Sequence, residues 1–397
     1  MADSNEKVRN SIPDDLMFSI MSKLPPKSLN RFKCVRKSWA LFFKNSYFMN
    51  MYRKNFMSNN PYYDETYLLL MQTLVVFEQN SWLYLLSGDA REGFTKKVKL
   101  DWPLPFQEYD HDINILGSEI NGNLCLYADD DNSKVVVWNP SFEEFKVIPP
   151  NLDVFVLPHI VMVASQLHGF GYDYIGDDYK LIRYVEFYPN HNYVLDGQIN
   201  VPRLMSLLKT IYDYPSWEIY SFKSSHWKKL DLDMPTYNET RVGVLEQVYT
   251  KGMCHWVSEG EYIDNSYLVS FDLNNEVFSL TSIPSLMDKL EDIHLMLLNE
   301  FIALMYKDEE TTTFHISILC EIGVKESWMK LFIVESLPCL GHPIGVGKNG
   351  NNIFFLNEDE ELLMCDLSTH TVQELGVKGA FTCQIVTYKK SLLSIAD

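Results

Sequence analysis

Two patterns of apolar and polar positions divide the chain. Between Ser11 and Pro25 apolar residues recur every four positions, at Leu16, Ile20 and Leu24, which is the spacing of one face of a short helix. Pro13 suits a first helical position, and Asp14 and Asp15 sit where the helix dipole favours negative charge. Ile12 lies just outside, as a staple would. Pro25 and Pro26 stop the helix. A second helix is predicted through Leu29, Phe32 and Val35, and a third through Trp39, Phe42 and Phe43. Lys27, Arg31, Lys33, Arg36, Lys37 and Lys44 crowd the opposite faces. Three helices in about forty residues are too small a unit to bury this much apolar surface. Either the unit caps the rest of the chain, or part of its stripe is left for a partner.

Beyond the polar stretch around Asn59–Asp64 the pattern changes to short β-rich runs separated by Gly, Asn and Asp. One phrase recurs: strand, polar turn, strand, with a large residue on the second arm. It is clearest at Val135–Pro149, Glu218–Leu230 and Leu268–Leu280, and weaker at Ile316–Leu331 and Leu362–Leu375. The large residues are Phe145, Trp227, Phe278, Trp328 and Val372, at intervals of 82, 51, 50 and 44. Repeats of about 40–50 residues, each a few strands long, are the signature of propeller blades. The long interval places an insertion near Asn190–Pro215, in a third blade whose inner strands are His168–Asp173 and Tyr179–Glu186. A degenerate copy at Trp82–Phe94 brings the count to six, and Phe381–Tyr388 is expected to close the ring on the first blade. The expected fold is thus a small three-helix unit followed by a six-bladed β-propeller. A two-sheet β sandwich is the alternative, because the period drifts.

Charge sharpens the division. Residues 1–60 hold 11 Lys/Arg and 4 Asp/Glu, a net charge of +7, whereas the remainder carries −26, which together give −19. Two modules of opposite sign imply different partners. A strongly negative surface repels phosphate backbones, so nucleic acid is not an expected ligand of the larger part. The longest apolar run, Leu68–Phe77, is about half of what a bilayer needs, and the first ten residues lack the apolar core of a signal peptide. No membrane association is expected, and the protein is expected in the cytoplasm, with a nuclear share left open. Seven scattered cysteines without a Cys-x-x-Cys pair fit reduced thiols.

The first sixty residues closely resemble the plant F-box. The residues carrying the likeness are Ile12-Pro-Asp-Asp-Leu16, Ile20, Leu24-Pro25-x-Lys-Ser-Leu29 and Arg31-Phe32-Lys33-Cys34-Val35-Arg36-Lys37-Ser38-Trp39. The resemblance implies docking on a Skp-family adaptor, and through it on a cullin of a ubiquitin ligase. It maps that role onto Ile12, Pro13, Leu16, Ile20, Leu24, Pro25, Leu29, Val35 and Trp39. The rest of the chain resembles the F-box-associated domain of type 1, as found in S-locus F-box proteins and related plant proteins, and the expected propeller is kelch-like. Trp138-Asn-Pro140 with Ile148-Pro-Pro150, Gly169-Phe-Gly-Tyr-Asp173 with Asp178-Tyr-Lys180, Cys254-His-Trp256 with Phe271-Asp-Leu273, and Ser327-Trp-Met329 carry this second likeness. It implies a domain that captures the protein to be ubiquitylated. The expected organisation is a disordered 1–10, an F-box over 11–54, a linker over 55–66 and the β domain over 67–395.

Catalytic chemistry finds no support in the sequence. Gly345-Val-Gly-Lys-Asn-Gly350 fits a nucleotide-loop spacing, but Asn349 stands where Ser or Thr is needed and strands follow instead of a helix. Lys348–Asn352 therefore reads as a hairpin turn. The acidic runs Asp129–Asp131, Asp177-Asp178, Asp308–Glu310 and Glu358–Glu361 lack the glycine and terminal glutamate of a calcium loop, and read as hairpin tips or as an anionic rim for a basic partner. His255, beside Trp256, reads as a core residue. Neither cofactor nor metal is expected. The leading expectation is a non-catalytic substrate receptor of a Skp–cullin–F-box ligase with an unidentified, basic target. The alternatives are an F-box scaffold or inhibitor acting outside the ligase, and a propeller that binds carbohydrate.

Overall fold

The protein is described from a computed structural model. It covers residues 12–24, scattered positions from 32 to 51, and the strands between 66 and 391 with most of their shorter connections. Residues 1–11, 25–31, 52–65, 75–79, 88–93, 108–112, 129–133, 152–160, 190–199, 213–214, 232–246, 260–265, 285–292, 309–312, 335–340, 348–351 and 392–397, with a few single positions, lie outside that description. The chain forms two compact units, one of residues 1–66 with 389–393 and one of residues 67–388 with 394–397.

The larger unit is a six-bladed β-propeller. Its described strands form six four-stranded antiparallel sheets. The first consists of β1 (Thr66–Leu74), β2 (Asn80–Ser87) and β3 (Lys96–Leu100), and β24 (Thr382–Lys389) joins it beside β1. The second holds β4 (Ile113–Ile115), β5 (Leu124–Ala128), β6 (Val135–Asn139) and β7 (Glu144–Ile148). The third holds β8 (Val161–Asp173), β9 (Asp178–Pro189), β10 (Ser216–Ser221) and β11 (His226–Leu230), and the fourth β12 (Val248–Thr250), β13 (Met253–Glu259), β14 (Ser266–Asp272) and β15 (Val277–Ser282). The fifth runs β16 (Ile293–Leu298), β17 (Phe301–Lys307), β18 (Phe314–Leu319) and β19 (Trp328–Val334), and the sixth β20 (Pro343–Val346), β21 (Asn352–Leu356), β22 (Glu361–Asp366) and β23 (Thr371–Lys378). Six sheets exclude the two-sheet sandwich. The last strand closes the ring on the first blade, which removes the edge an open array would expose.

The repeated sequence phrase is the third and fourth strand of each blade with the turn between them. The third strand β6 is buried along its whole length, and β10, β14, β18 and β22 along most of theirs, because neighbouring blades cover both faces. The residue ending the third strand clamps the turn. Asn139 Oδ1 accepts from Ser141 N–H, Ser221 Oγ from Ser224 N–H, and Asp272 Oδ1 from Asn274 and Asn275 N–H, at 2.8–3.1 Å. The turn ends on a residue with positive φ, Glu143, Ser225 or Glu276, which redirects the chain into the outer strand. The large residue on that strand then latches the preceding blade. Trp227 Nε1–H donates to Pro149 O at 2.7 Å, and Trp328 Nε1–H to Ser282 O at 3.1 Å.

The structure refines two sequence expectations and bears out a third. The inner strands of the third blade are longer than expected, and its insertion contains a helix, Val201–Tyr212, whose N-cap Asn200 Oδ1 accepts from Arg203 N–H at 3.1 Å. Thr66, assigned to the linker, opens β1. The segment after Gly345 is an antiparallel hairpin of β20 and β21, with Gly347 N–H donating to Asn352 O at 2.7 Å. Among the described residues no helix is long and apolar enough to cross a membrane.

Candidate docking surfaces

In the smaller unit, helix α1 spans Asp14–Met21. Pro13 is its N-cap, not its first helical residue: its ψ of 143° is extended, and its carbonyl accepts from Met17 N–H at 3.0 Å. The helix also stops a turn earlier than Pro25 implies. Ser22 Oγ donates to Ser19 O, and Lys23 and Leu24 N–H bond back three residues, tightening the end. One face is spent inside the unit: Met21 and Phe48 are buried, and the Phe18 ring lies 5.6 Å from that of Phe48. The other face is open. Ile12, Leu16 and Ile20 are each more than half exposed, and Pro13 is exposed with them.

Leu24, expected on the same stripe, lies past the helix end and is half-buried. Val35 is helical and exposed, and Trp39, on the helix Lys37–Phe42, is half-buried with its ring 5.4 Å from Phe32 in an edge-on contact. Pro25 and Leu29 lie outside the described residues, as do the expected disordered 1–10 and most of the linker. Sequence reasoning missed two further exposed apolar residues of this unit, Leu41 and Tyr47. Their signal was weak, since neither falls on the four-residue repeat.

In the propeller, the runs Gly169–Asp173, Asp178–Lys180, Cys254–Trp256 and Phe271–Leu273 of the second resemblance lie on the third and fourth blades and meet at their joint, whereas Trp138–Pro140 belongs to the second blade and Ser327–Met329 to the fifth. Gly169 and Gly171 lie on the third blade's innermost strand. A Cβ on Gly169 would stand 2.8 Å from Cys254 Cβ, and one on Gly171 would stand 2.5 Å from the Tyr249 ring. Phe170 stacks on Tyr179 at 5.8 Å with an interplanar angle of 9°. Lys180 Nζ donates to Leu273 O at 2.6 Å and pairs with Asp173 at 3.1 Å and Glu276 at 3.3 Å, tying the two blades together. Burial pushes the Asp173 carboxyl up, but bonds from Gly176 N–H, Lys180 and Ile175 N–H outweigh it and hold the carboxyl below its ordinary value.

Comparison with known proteins decides what these two modules are. A family model described as the F-box associated beta propeller domain matches residues 74–393, and an F-box domain model matches residues 10–50. The chain belongs to the F-box-associated β-propeller family. A related F-box protein of Arabidopsis thaliana is 29% identical over 44% of this chain and 41% of its own length. Another from the same plant is 22% identical over 92% of this chain and 89% of its own. Among solved structures, an oligogalacturonate lyase of Vibrio parahaemolyticus matches at 10% identity and a TM-score of 0.38, covering 77% of this chain and 78% of that one. That likeness is too distant to bear on function.

In this F-box protein Gly169, Gly171 and Lys180 hold the third and fourth blades together. His255 is likewise structural: it is fully buried, with Nδ1 2.8 Å from Ser270 Oγ, and burial pushes its pKa down to about 4. His168, between the rings of Trp217 and Trp256, is pushed by burial down to about 3. Both imidazoles stay neutral in the folded protein, while the unfolded chain protonates them below about pH 6.5. Stability is therefore complete above that pH and is lost as the pH falls toward 4. Denaturant midpoints measured between pH 7 and 4.5 are expected to fall, and His255→Gln is expected to flatten the slope.

Proposed function

We propose that this chain is the target-binding subunit of a Skp–cullin–F-box ubiquitin ligase. The supporting observation is the exposed apolar face of α1, with Ile12, Leu16 and Ile20, in a basic unit that matches the F-box domain. An apolar helix face laid into a partner's groove draws most of its affinity from a few anchors. In this reading Ile12, Pro13, Leu16, Ile20 and Val35 contact the adaptor, together with Pro25 and Leu29. Leu24 and Trp39 contribute mainly by holding the helices. The propeller, a kelch-like ring in this reading, holds a protein target, and joining the two raises the target's effective concentration at the transfer enzyme. The chain itself does no chemistry; it brings substrate to an enzyme carried elsewhere in the complex.

The test is adaptor binding by the full chain. Leu16→Asp with Ile20→Asp is expected to weaken binding of a purified Skp adaptor by at least about thirtyfold, the loss of roughly 2 kcal/mol or more that anchor residues carry. Both side chains are exposed, so the propeller's melting temperature should not move. Undiminished binding by the double variant refutes the docking assignment. Unchanged half-life of bound targets in cells lacking the protein, with docking intact, favours a scaffold over a ligase subunit.

A further inference from the structure

Each blade ends in an outer strand whose far side pairs with no other strand among the described residues. Such an edge invites the addition of a foreign strand unless charge, irregularity or cover blocks it. Five of the six outer strands carry one of these devices. β3 turns Lys97 and Lys99 to solvent, and β11 turns Lys228. β15 is overlaid by the next blade, where Gly323 N–H donates to Thr281 Oγ1 at 2.7 Å and Trp328 Nε1–H to Ser282 O at 3.1 Å. The sheets of β19 and β23 each break register there, at Ile316–Ser317 and at Glu361–Leu363. The break in β19 throws its exposed Met329 and Ile333 onto opposite faces.

β7 has none of them. It pairs with β6 in unbroken register from Glu144 to Ile148, and the Trp227 latch falls on Pro149, past the end of the strand. Its one lysine is withdrawn: Lys146 Nζ donates to Phe222 O of the third blade at 3.2 Å and lies 5.0 Å from the Phe222 ring. The opposite face presents Phe145 and Val147, 37% and 46% exposed, beside Trp138 and Val136 of β6. Glu143 and Glu144 stand exposed where the strand begins, and neither carboxylate has a hydrogen-bond or ion-pair partner among the described residues. Lys134, just before β6, lies at the other end with its amine 5.3 Å from the Phe106 ring. The edge is thus apolar in the middle and polarised along its length, so its occupant needs a cation at one end.

We propose that β7 is a docking edge that takes an extended segment of the target protein as a fifth, antiparallel strand of the second blade. The segment's apolar side chains lie on Phe145 and Val147, and a Lys or Arg at its carboxyl-terminal end meets Glu143 and Glu144. This rests on the reading of the chain as a target receptor and adds how the target is held. In strand addition the main-chain bonds supply affinity, and alternate side chains supply specificity. A second copy pairing through its own β7 brings the same carboxylates and no outward cation to meet them.

The probe is an eight-residue peptide of alternating Thr and Val ending in two lysines, with both termini blocked, titrated against the full chain. Two further versions carry backbone N-methyl groups on either the odd or the even residues. An added strand turns only one of these sets toward β7, so one version should lose at least about tenfold in affinity and the other less than about twofold. Glutamates in place of the lysines should weaken binding about fivefold or more in dilute buffer, and Glu143→Lys with Glu144→Lys should reverse that preference. The same charge change on the fifth blade, Glu300→Lys with Glu321→Lys, should leave affinity within about twofold. Phe145→Lys with Val147→Lys, which copies the lysines of β3, should cost about tenfold or more. The methylated peptides leave the protein intact, so they decide the matter even where that variant folds poorly. No binding of the unmodified peptide, equal effects of the two methylation patterns, or indifference to the charges at Glu143 and Glu144 overturns the proposal. So does a dimer of the free chain that Val147→Lys dissolves, which assigns the edge to a second copy. No adaptor enters this assay, so a failure here is separable from a failure of the ligase reading, which is decided by adaptor binding.

Discussion

Glu218→Ala is expected to destabilise the propeller by about 3–5 kcal/mol, the usual cost of leaving one member of a buried ion pair without the other. Arg183 and Glu218 face each other across β9 and β10, both nearly inaccessible to solvent. Arg183 donates twice to Glu218 Oε2, at 2.9 and 2.6 Å, and Asn151 Nδ2–H donates to Oε1 at 2.9 Å. The guanidinium also lies 3.7 Å from the Trp227 ring, between the carboxylate and the latch to the preceding blade. Removing the carboxylate strands a nearly inaccessible cation against the Trp227 ring without its charged partner. Chemical denaturation of the full chain measures the loss. A joint Arg183→Met and Glu218→Leu replacement is expected to recover most of it, because the desolvation cost disappears with the charges. If the single variant unfolds at the wild-type midpoint, the pair does not stabilise the propeller as described.

Gly171→Ala should be the next most damaging change, at about 1–3 kcal/mol from overpacking. The added methyl would meet the Tyr249 ring at 2.5 Å and Leu273 Cδ1 at 2.6 Å. Neither neighbour is free to retreat. Tyr249 is held by its hydroxyl donating to Tyr172 O at 2.5 Å, and Leu273 is fully buried with its carbonyl taken by Lys180. The third and fourth blades would have to separate, so the melting temperature should drop without a change in adaptor binding. A thermal scan beside an adaptor titration distinguishes this from general misfolding.

The blade repeat was legible because its chemistry is local. A polar residue closing the third strand, a short turn and a large residue on the next arm all lie within about fifteen residues, a span over which turn geometry selects residue type. The face of α1 was legible for the same reason, since Leu16 and Ile20 meet one helical turn apart. The helix Val201–Tyr212 was missed although Asn200 and Pro202 form a recognisable start, because it interrupts the blade repeat instead of belonging to it. Arg183 and Glu218 carried no signal at all, being 35 positions apart on strands whose register depends on the whole sheet. Lys180 with Glu276 is a still longer pairing, across two blades.

By itself the amino-acid order determined two modules of opposite charge, a helix face with apolar residues one turn apart, and six copies of a strand–turn–strand unit. These are properties of neighbours along the chain, set by backbone geometry and side-chain type. Only the tertiary structure decided which glycines let blades approach and which buried charges meet. Those outcomes depend on strand direction and on contacts between residues tens to hundreds of positions apart, which no local pattern encodes.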